Sequence, residues 1–186
     1  MKIIFAQGNP GAQYEKTRHN AGFLAIDFFA NQKGVRFAAK PKFHADITEL
    51  SEAGEKILLV KPTTFYNETG QCARALADFY KVDTADILVL HDELALPFGT
   101  LRTRDKGRDA GNNGIKSLNA HLGENYARIR IGIWNEFAER AGATDFVLSQ
   151  FTSDEMETLQ KNILSKTAEL IDEFTTGNHT SGSHKL

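Results

Sequence analysis

One short stretch constrains this chain more than any other: Asp86-Ile87-Leu88-Val89-Leu90-His91-Asp92-Glu93-Leu94. Ile87 to Leu90 form an unbroken apolar run, and Pro97 and Gly99 follow close behind. Such a run between helical and turn-like segments reads as a strand buried on both faces, as in a parallel sheet, and points to an α/β arrangement. In open α/β sheets the functional crevice lies just outside the carboxyl ends of such strands. Asp92 is thereby expected at the mouth of a site with apolar walls behind it. Strand alternation sends His91 and Asp92 to opposite faces, so the pair is not expected to share a metal ion.

Other segments bring polar residues to equivalent places. Ile3-Ile4-Phe5-Ala6 reads as a first buried strand stopped by Gly8-Asn9-Pro10-Gly11, which puts Asn9 just past a strand end. The glycine spacing there matches neither the dinucleotide fingerprint nor the Walker loop. Thr17-Arg18-His19-Asn20-Ala21-Gly22-Phe23 opens a helix running to about Lys33, with Asn20 as a candidate N-cap and Gly34 as the stop. His19 then precedes the first turn, where the helix dipole favours neutral imidazole, the form a general base needs. Taken alone, it could equally be a surface histidine.

His44 to Thr48 alternates, Ser51 to Glu55 turns, and Ile57 to Val60 is apolar again, so residues 40–61 read as a hairpin. Pro62 to Asn67 ends that run before a helix through Leu76 and Tyr80. Asn67 is thus a further polar residue between strand and helix, and strand, helix and the Asp92 strand make a right-handed βαβ unit. Beyond Asp92, cations at every second position (Arg102, Arg104, Lys106, Arg108) share one face of an extended chain, repeating about every 6.6 Å. That spacing suits a sugar-phosphate backbone, and equally a charged edge strand. Gly111-Asn112-Asn113-Gly114 opens a short helix, with Asn113 either its cap or a contributor to the site. Arg128 and Arg130 alternate along another strand. Phe146 to Phe151 is an apolar lead into the final helix, where Thr152 and Glu155 have capping-box spacing. Gly177 ends that helix, and residues 178–186, small and polar, are expected to be a flexible tail behind a single domain over 1–177.

Asn9, His19, Asn67, Asp92 and Asn113 form one chemically coherent set. A carboxylate can orient an imidazole as base, and amides can hold a carbonyl or a water without adding charge. Cys72, the chain's one cysteine, falls inside a helix, and no serine has the setting of an activated nucleophile. Water is therefore the expected attacker. A single cysteine and the lack of any long apolar run fit a reducing, cytoplasmic setting without a membrane. The net charge of -2 means that any nucleic-acid surface must be local.

Five segments together closely resemble bacterial peptidyl-tRNA hydrolases: Gly8-Asn9-Pro10-Gly11, Thr17 to Gly22, Lys61 to Asn67, His91-Asp92-Glu93-Leu94 and Gly111-Asn112-Asn113-Gly114. The resemblance implies a monomeric single-domain α/β fold with a twisted, mixed and largely parallel sheet flanked by helices. It implies no cofactor and no metal. The activity implied is cleavage of the ester between a peptide and the 3′-terminal ribose of tRNA. It also implies His19 as base, Asp92 as its orienting partner, and Asn9, Tyr14, Tyr66, Asn67 and Asn113 as substrate-binding residues. Arg104 and Arg130 would hold the tRNA 5′-phosphate. Tyr66 stands where such proteins commonly carry methionine, and Asn112 where they frequently carry histidine. Two alternatives stay open: a non-catalytic RNA-binding module, since plant chloroplast splicing factors share the resemblance, and hydrolysis of some other small ester or amide.

Overall fold

The computed structural model describes residues 1–186. Its centre is an eight-stranded sheet in the order β2-β3-β4-β1-β5-β7-β6-β8. The inner strands β4 (Glu55–Pro62), β1 (Lys2–Ala6), β5 (Ile87–Pro97) and β7 (Ala127–Trp134) run parallel. Antiparallel strands flank them: β3 (Ala45–Glu52) and β2 (Ala38–Lys40) on one side, β6 (Thr100–Arg104) and β8 (Gly182–Lys185) on the other. The mixed, centrally parallel sheet agrees with the fold expected from the sequence.

The apolar runs account for the inner strands. Ile3 to Ala6, Ile57 to Val60 and Ile87 to Leu90 are all essentially inaccessible, alternating between two cores on opposite faces. One face packs against α1 (Ala21–Gln32) and α7 (Leu164–Thr175), the other against α2 (Thr69–Tyr80) and α3 (Asn113–Leu122). Each fully buried Leu, Ile or Phe contributes about 1.5–3 kcal/mol. The β3–β4 hairpin turns on Ala53 and Gly54, both at positive φ, as a tight two-residue connection requires.

The structure departs from the sequence-based expectation in several places. β5 continues well past Leu90, because β7 pairs with it as far as Pro97 after β1 has ended at Ala6. Asp92 therefore lies inside a strand, but beyond the end of its neighbour β1, so residues from the loops after β1 and β4 can close over it as they would over a strand end. The β4–α2–β5 crossover passes over β1 and does not join adjacent strands. A short helix α4 (Phe137–Ala141) lies where no element was expected, and the segment read as an apolar lead, Phe146 to Phe151, begins inside a further short helix, α5 (Ala143–Leu148). The last helix begins with the expected capping box on α6 (Ser153–Thr158) and reaches α7 through a π turn at Leu159–Ile163. Residues 182–185, expected in a flexible tail, instead pair with β6, and Thr103 and Leu186 extend the contact through bonds to Thr180 and Gly99. Small polar residues suit an edge strand whose outer side meets water, which is why composition alone read them as a tail.

Helix α1 sits close over the β1–β5 junction because Gly22 has no side chain. A β-carbon there would meet the carbonyl oxygens of Leu90 and Gln7 at 2.5 and 2.6 Å. Backbone on both sides cannot give way easily. Gly22→Ala should therefore destabilise the fold by about 1–3 kcal/mol, the usual cost of overpacking, seen as a lower urea midpoint with an unchanged m-value. An unchanged midpoint would show that α1 can lift off the sheet without penalty.

Candidate active site

The site forms where α1 covers one face of the sheet and α2 the other, outside the carboxyl ends of β1 and β4. Three chain segments leave the sheet there. After β1 comes Asn9, after β4 the turn at Tyr66–Glu68, and β5 itself carries Asp92. A single-turn helix at Arg18–Asn20 brings His19 over them.

His19 Nδ1 lies 3.1 and 3.0 Å from Asp92 Oδ1 and Oδ2. The carboxylate can only accept, so Nδ1 carries the proton and Nε2 is left with its lone pair. Asp92 is 1% exposed, whereas the His19 side chain is 16% exposed, so the imidazole sits at the solvent boundary with the carboxylate behind it. Tyr66 donates its hydroxyl to Asp92 Oδ1 at 2.6 Å, and its ring stacks on the His19 imidazole with centroids 3.6 Å apart.

The amides are arranged by backbone bonds. Asn9 Oδ1 accepts the Tyr66 N–H at 2.8 Å, which leaves the Asn9 NH2 free to donate into the site. Asn20, expected as an N-cap, makes no capping bond. Its side chain instead spans the Asn9 backbone, accepting the N–H at 2.8 Å and donating to the carbonyl at 2.9 Å. That reciprocal pair fixes Asn9 to the His19 turn. The cap of α3 is Asn112, whose Oδ1 accepts the Ile115 N–H at 3.0 Å, so Asn113 is released from capping and faces the site.

His19, Asp92, Asn9, Tyr14, Tyr66, Asn67 and Asn113 all line one cavity of about 450 Å³. Apolar walls come from Phe65, Leu94, Val147 and Leu148, which the sequence-based set did not contain. Two of these, Val147 and Leu148, sit on α5, which was not foreseen. Phe65 immediately precedes Tyr66 and is 57% exposed, so it adds apolar surface at the rim of the cavity. Tyr66, expected to contact substrate, lines the cavity and turns its hydroxyl to Asp92. A second cavity of about 430 Å³ lies on the other side of Asn9, where Lys61 and Asp27 already pair at 2.8 Å.

Arg104 and Arg130 do not line the active cavity. Strand register sets Arg102 opposite Arg130 and Arg104 opposite Arg128, so all four share the face away from Asp92. Arg130 is paired with Glu93, its Nε 2.9 Å from Oε2, and Glu93 in turn lines the cavity. Arg104 donates to the Thr103 carbonyl at 2.7 Å. His91 faces that side too, with burial holding it neutral at a pKa pushed down to about 4. Burial likewise pushes the Cys72 thiol up to about 12, so it is inert at neutral pH. No group of three or more His, Cys, Asp or Glu side chains is close enough to hold a metal ion. No helix is long and apolar enough to cross a membrane.

Comparison with known proteins decides the family. The sequence profile of "Peptidyl-tRNA hydrolase" matches residues 3–185. The chain belongs to the peptidyl-tRNA hydrolase family. It is 40% identical over 178 residues to a peptidyl-tRNA hydrolase of Lactobacillus delbrueckii subsp. bulgaricus, covering 95% of this chain and 94% of that one. A Gloeobacter violaceus peptidyl-tRNA hydrolase is 44% identical over 160 residues, covering 86% and 80%. The crystal structure of peptidyl-tRNA hydrolase from Acinetobacter baumannii superposes with a TM-score of 0.87 at 30% identity, covering 95% of this chain and 89% of that one. The chain is thus a hydrolase, in agreement with the sequence reading.

The turn that carries His19 is anchored by its neighbour. Arg18 is almost inaccessible, lies over the rings of Phe146 and Phe151 at 4.6 and 5.1 Å, and forms a two-pronged bond to Glu155 at 3.0 and 2.8 Å. Burial alone would raise the Glu155 carboxyl, but Arg18, the Thr152 N–H and the Asn135 amide together hold it below its usual value. A lowered folded-state value means stabilisation present above the ordinary carboxylate range and lost as pH falls through the lowered value. Glu155→Gln should cost about 3 kcal/mol at neutral pH, because it strands a buried guanidinium. The gap between variant and parent urea midpoints should narrow as pH falls through that lowered value. A gap that stays constant with pH would mean that the pair's charge contributes nothing.

Proposed function

We propose that this chain hydrolyses the ester linking a peptide to the 3′-terminal ribose of tRNA, with His19 as general base and water as nucleophile. The observation that carries this reading is the His19–Asp92 contact at 3.0 Å, set at the floor of a cavity with free amides around it and apolar walls above. Asp92 fixes the tautomer and stabilises the imidazolium that forms when Nε2 takes a proton from water. The water's oxygen then attacks the ester carbonyl, and the proton returns to the leaving 3′-oxygen of the ribose. The Asn9 NH2 and the side chains of Asn67 and Asn113 supply neutral donors suited to a carbonyl oxygen as it gains charge. Phe65, Leu94, Val147 and Leu148 offer apolar surface to the peptide's side chains.

The transfer RNA moiety fits the opposite face of β6 and β7. Arg102, Arg104 and Arg130 are partly accessible there, and their alternation matches a phosphate backbone. Arg104 and Arg130 serve the 5′-phosphate in this reading, with Glu93 holding Arg130 in an extended pose until the phosphate arrives. The reading needs no cofactor, since base, nucleophile and donors are all at hand, and one chain carries the whole site.

His19→Ala should reduce turnover of N-acetyl-aminoacyl-tRNA by about 10²–10⁴-fold while leaving the thermal unfolding curve in place. Near-normal turnover in that variant would remove the base from the reaction and sink the mechanism.

Arg104→Ala and Arg130→Ala should raise KM with little change in kcat. Each should flatten the dependence of log binding constant on log salt by roughly 0.7–0.9, the contribution of one phosphate contact. With tRNA stripped of its 5′-phosphate both variants should behave like the parent. Equal losses with and without that phosphate would assign these arginines another task.

A further inference from the structure

Tyr66 holds both members of the His19–Asp92 dyad at once. Its hydroxyl is 2.6 Å from Asp92 Oδ1, and its ring lies on the His19 ring with an interplanar angle of 16°. The ring also packs against Gly114, where a β-carbon would fall 2.2 Å from it. Its backbone N–H is bonded to Asn9. Few side chains are fixed from so many directions, and Tyr66 is 1% exposed.

The hydroxyl has one role open to it. Burial, and then the charge of Asp92, raise the Tyr66 pKa well above its usual value, so the phenol stays protonated and can donate to the carboxylate. The phenol oxygen accepts in turn from Asn112 Nδ2 at 3.1 Å. Asn112 cannot turn its amide over, because its Oδ1 is committed to the Ile115 N–H at the start of α3. A directional chain therefore runs from the cap of α3 through Asn112 and Tyr66 to Asp92, and ends at His19.

We propose that Tyr66, oriented by Asn112, is a positioning residue that tunes the dyad: its hydroxyl draws charge from Asp92 while its ring fixes the plane of the imidazole. This rests on the reading of His19 and Asp92 as the catalytic pair. Asp92 divides one negative charge between two donors, and each donor weakens its hold on the other. Tyr66 thus lessens the share of the Asp92 charge that is available to the imidazole.

Few other charges reach the dyad. Glu93 on β5 is paired with Arg130, His91 lies on the reverse face of that strand, and Arg18 beside His19 turns to Glu155. In the 105–112 loop Asp109 accepts the Gly111 N–H, Tyr14 lines the cavity, and α5 presents only Ala143, Thr144, Val147 and Leu148 to it. The hydroxyl is accordingly the nearest lever on the pair.

The test is the pH profile of kcat/KM on N-acetyl-aminoacyl-tRNA for Tyr66→Phe, which keeps the stacked ring and removes only the hydroxyl. The acidic limb should move to higher pH by about 0.5 unit, since Asp92 then acts on the imidazolium undiluted. The kcat and KM should each change less than about threefold, since the hydroxyl's bond to Asp92 exists before and during the reaction and the hydroxyl touches no reacting atom. Asp92→Asn should move the limb the other way, to lower pH. Asn112→Ala should shift the limb when made alone but not when combined with Tyr66→Phe. Should the Tyr66→Phe variant unfold, Tyr66→Met, which removes the hydroxyl and the stacked ring together, should still show the upward shift, with a lowered kcat beside it. An unmoved or lowered limb, or a raised KM as the only effect, would reduce Tyr66 to packing or substrate contact and overturn the proposal. His19→Ala separates the two ideas: if it retains turnover the dyad reading fails, and if it is inactive while the Tyr66→Phe limb stays put, only the present inference fails.

Discussion

Everything at the centre of this protein answers to one buried negative charge. A carboxylate taken out of water costs several kcal/mol unless donors meet it, and Asp92 has almost no contact with solvent. Its donors arrive from separate parts of the chain: His19 from the turn before α1, and Tyr66 from the turn after β4. Each donor has its own anchor. Arg18 and Glu155 pin the His19 turn to the α6 cap, and Asn112 ties Tyr66 to α3. Satisfying one carboxylate thus draws helices from both faces of the sheet to a single point.

Strand alternation lets the triplet His91-Asp92-Glu93 serve two surfaces. Asp92 pairs in register with Ile131 and faces the α1 side, while His91 pairs with Arg130 and faces the other. Glu93 shares the His91 side and reaches Arg130, yet it also borders the active cavity. The His19–Asp92 pair and the cationic face are therefore separated by the thickness of one strand and joined by one ion pair. A long substrate could touch both without the protein needing a second domain.

The sequence disclosed those parts of the fold that depend on burial. Unbroken apolar runs at Ile3, Ile57 and Ile87 marked the inner strands because strands covered on both faces have no polar side. The Thr152–Glu155 spacing marked a helix start because its reciprocal bonds are local. What stayed hidden depended on partners distant in sequence. Nothing in Glu93 to Pro97 says that β7 will extend β5, and nothing in Gly182 to Lys185 says that β6 will be beside it. Polar side chains were hidden for a related reason. Asn20 bridges where the pattern favoured it as a cap, Asn112 caps where the pattern favoured its neighbour Asn113, and only the tertiary positions of Asn9 and Tyr66 decide which amide caps and which one bridges. Asn9, His19, Asn67, Asp92 and Asn113 could be grouped from the sequence because each follows an apolar run or precedes a helix, and the structure brings all five to one cavity.

The short final strand has a consequence for anyone handling the molecule. Both margins of the sheet are brief, β2 on one side and β8 on the other, and β8 is what stands between the backbone of β6 and solvent. Strip away residues 182–186 and the unpaired N–H and C=O groups of Thr100 to Thr103 become a template for any passing extended chain. A terminus that composition would mark as dispensable is the seal on an adhesive seam, and a trimmed protein would be expected to stick to itself before it lost its fold.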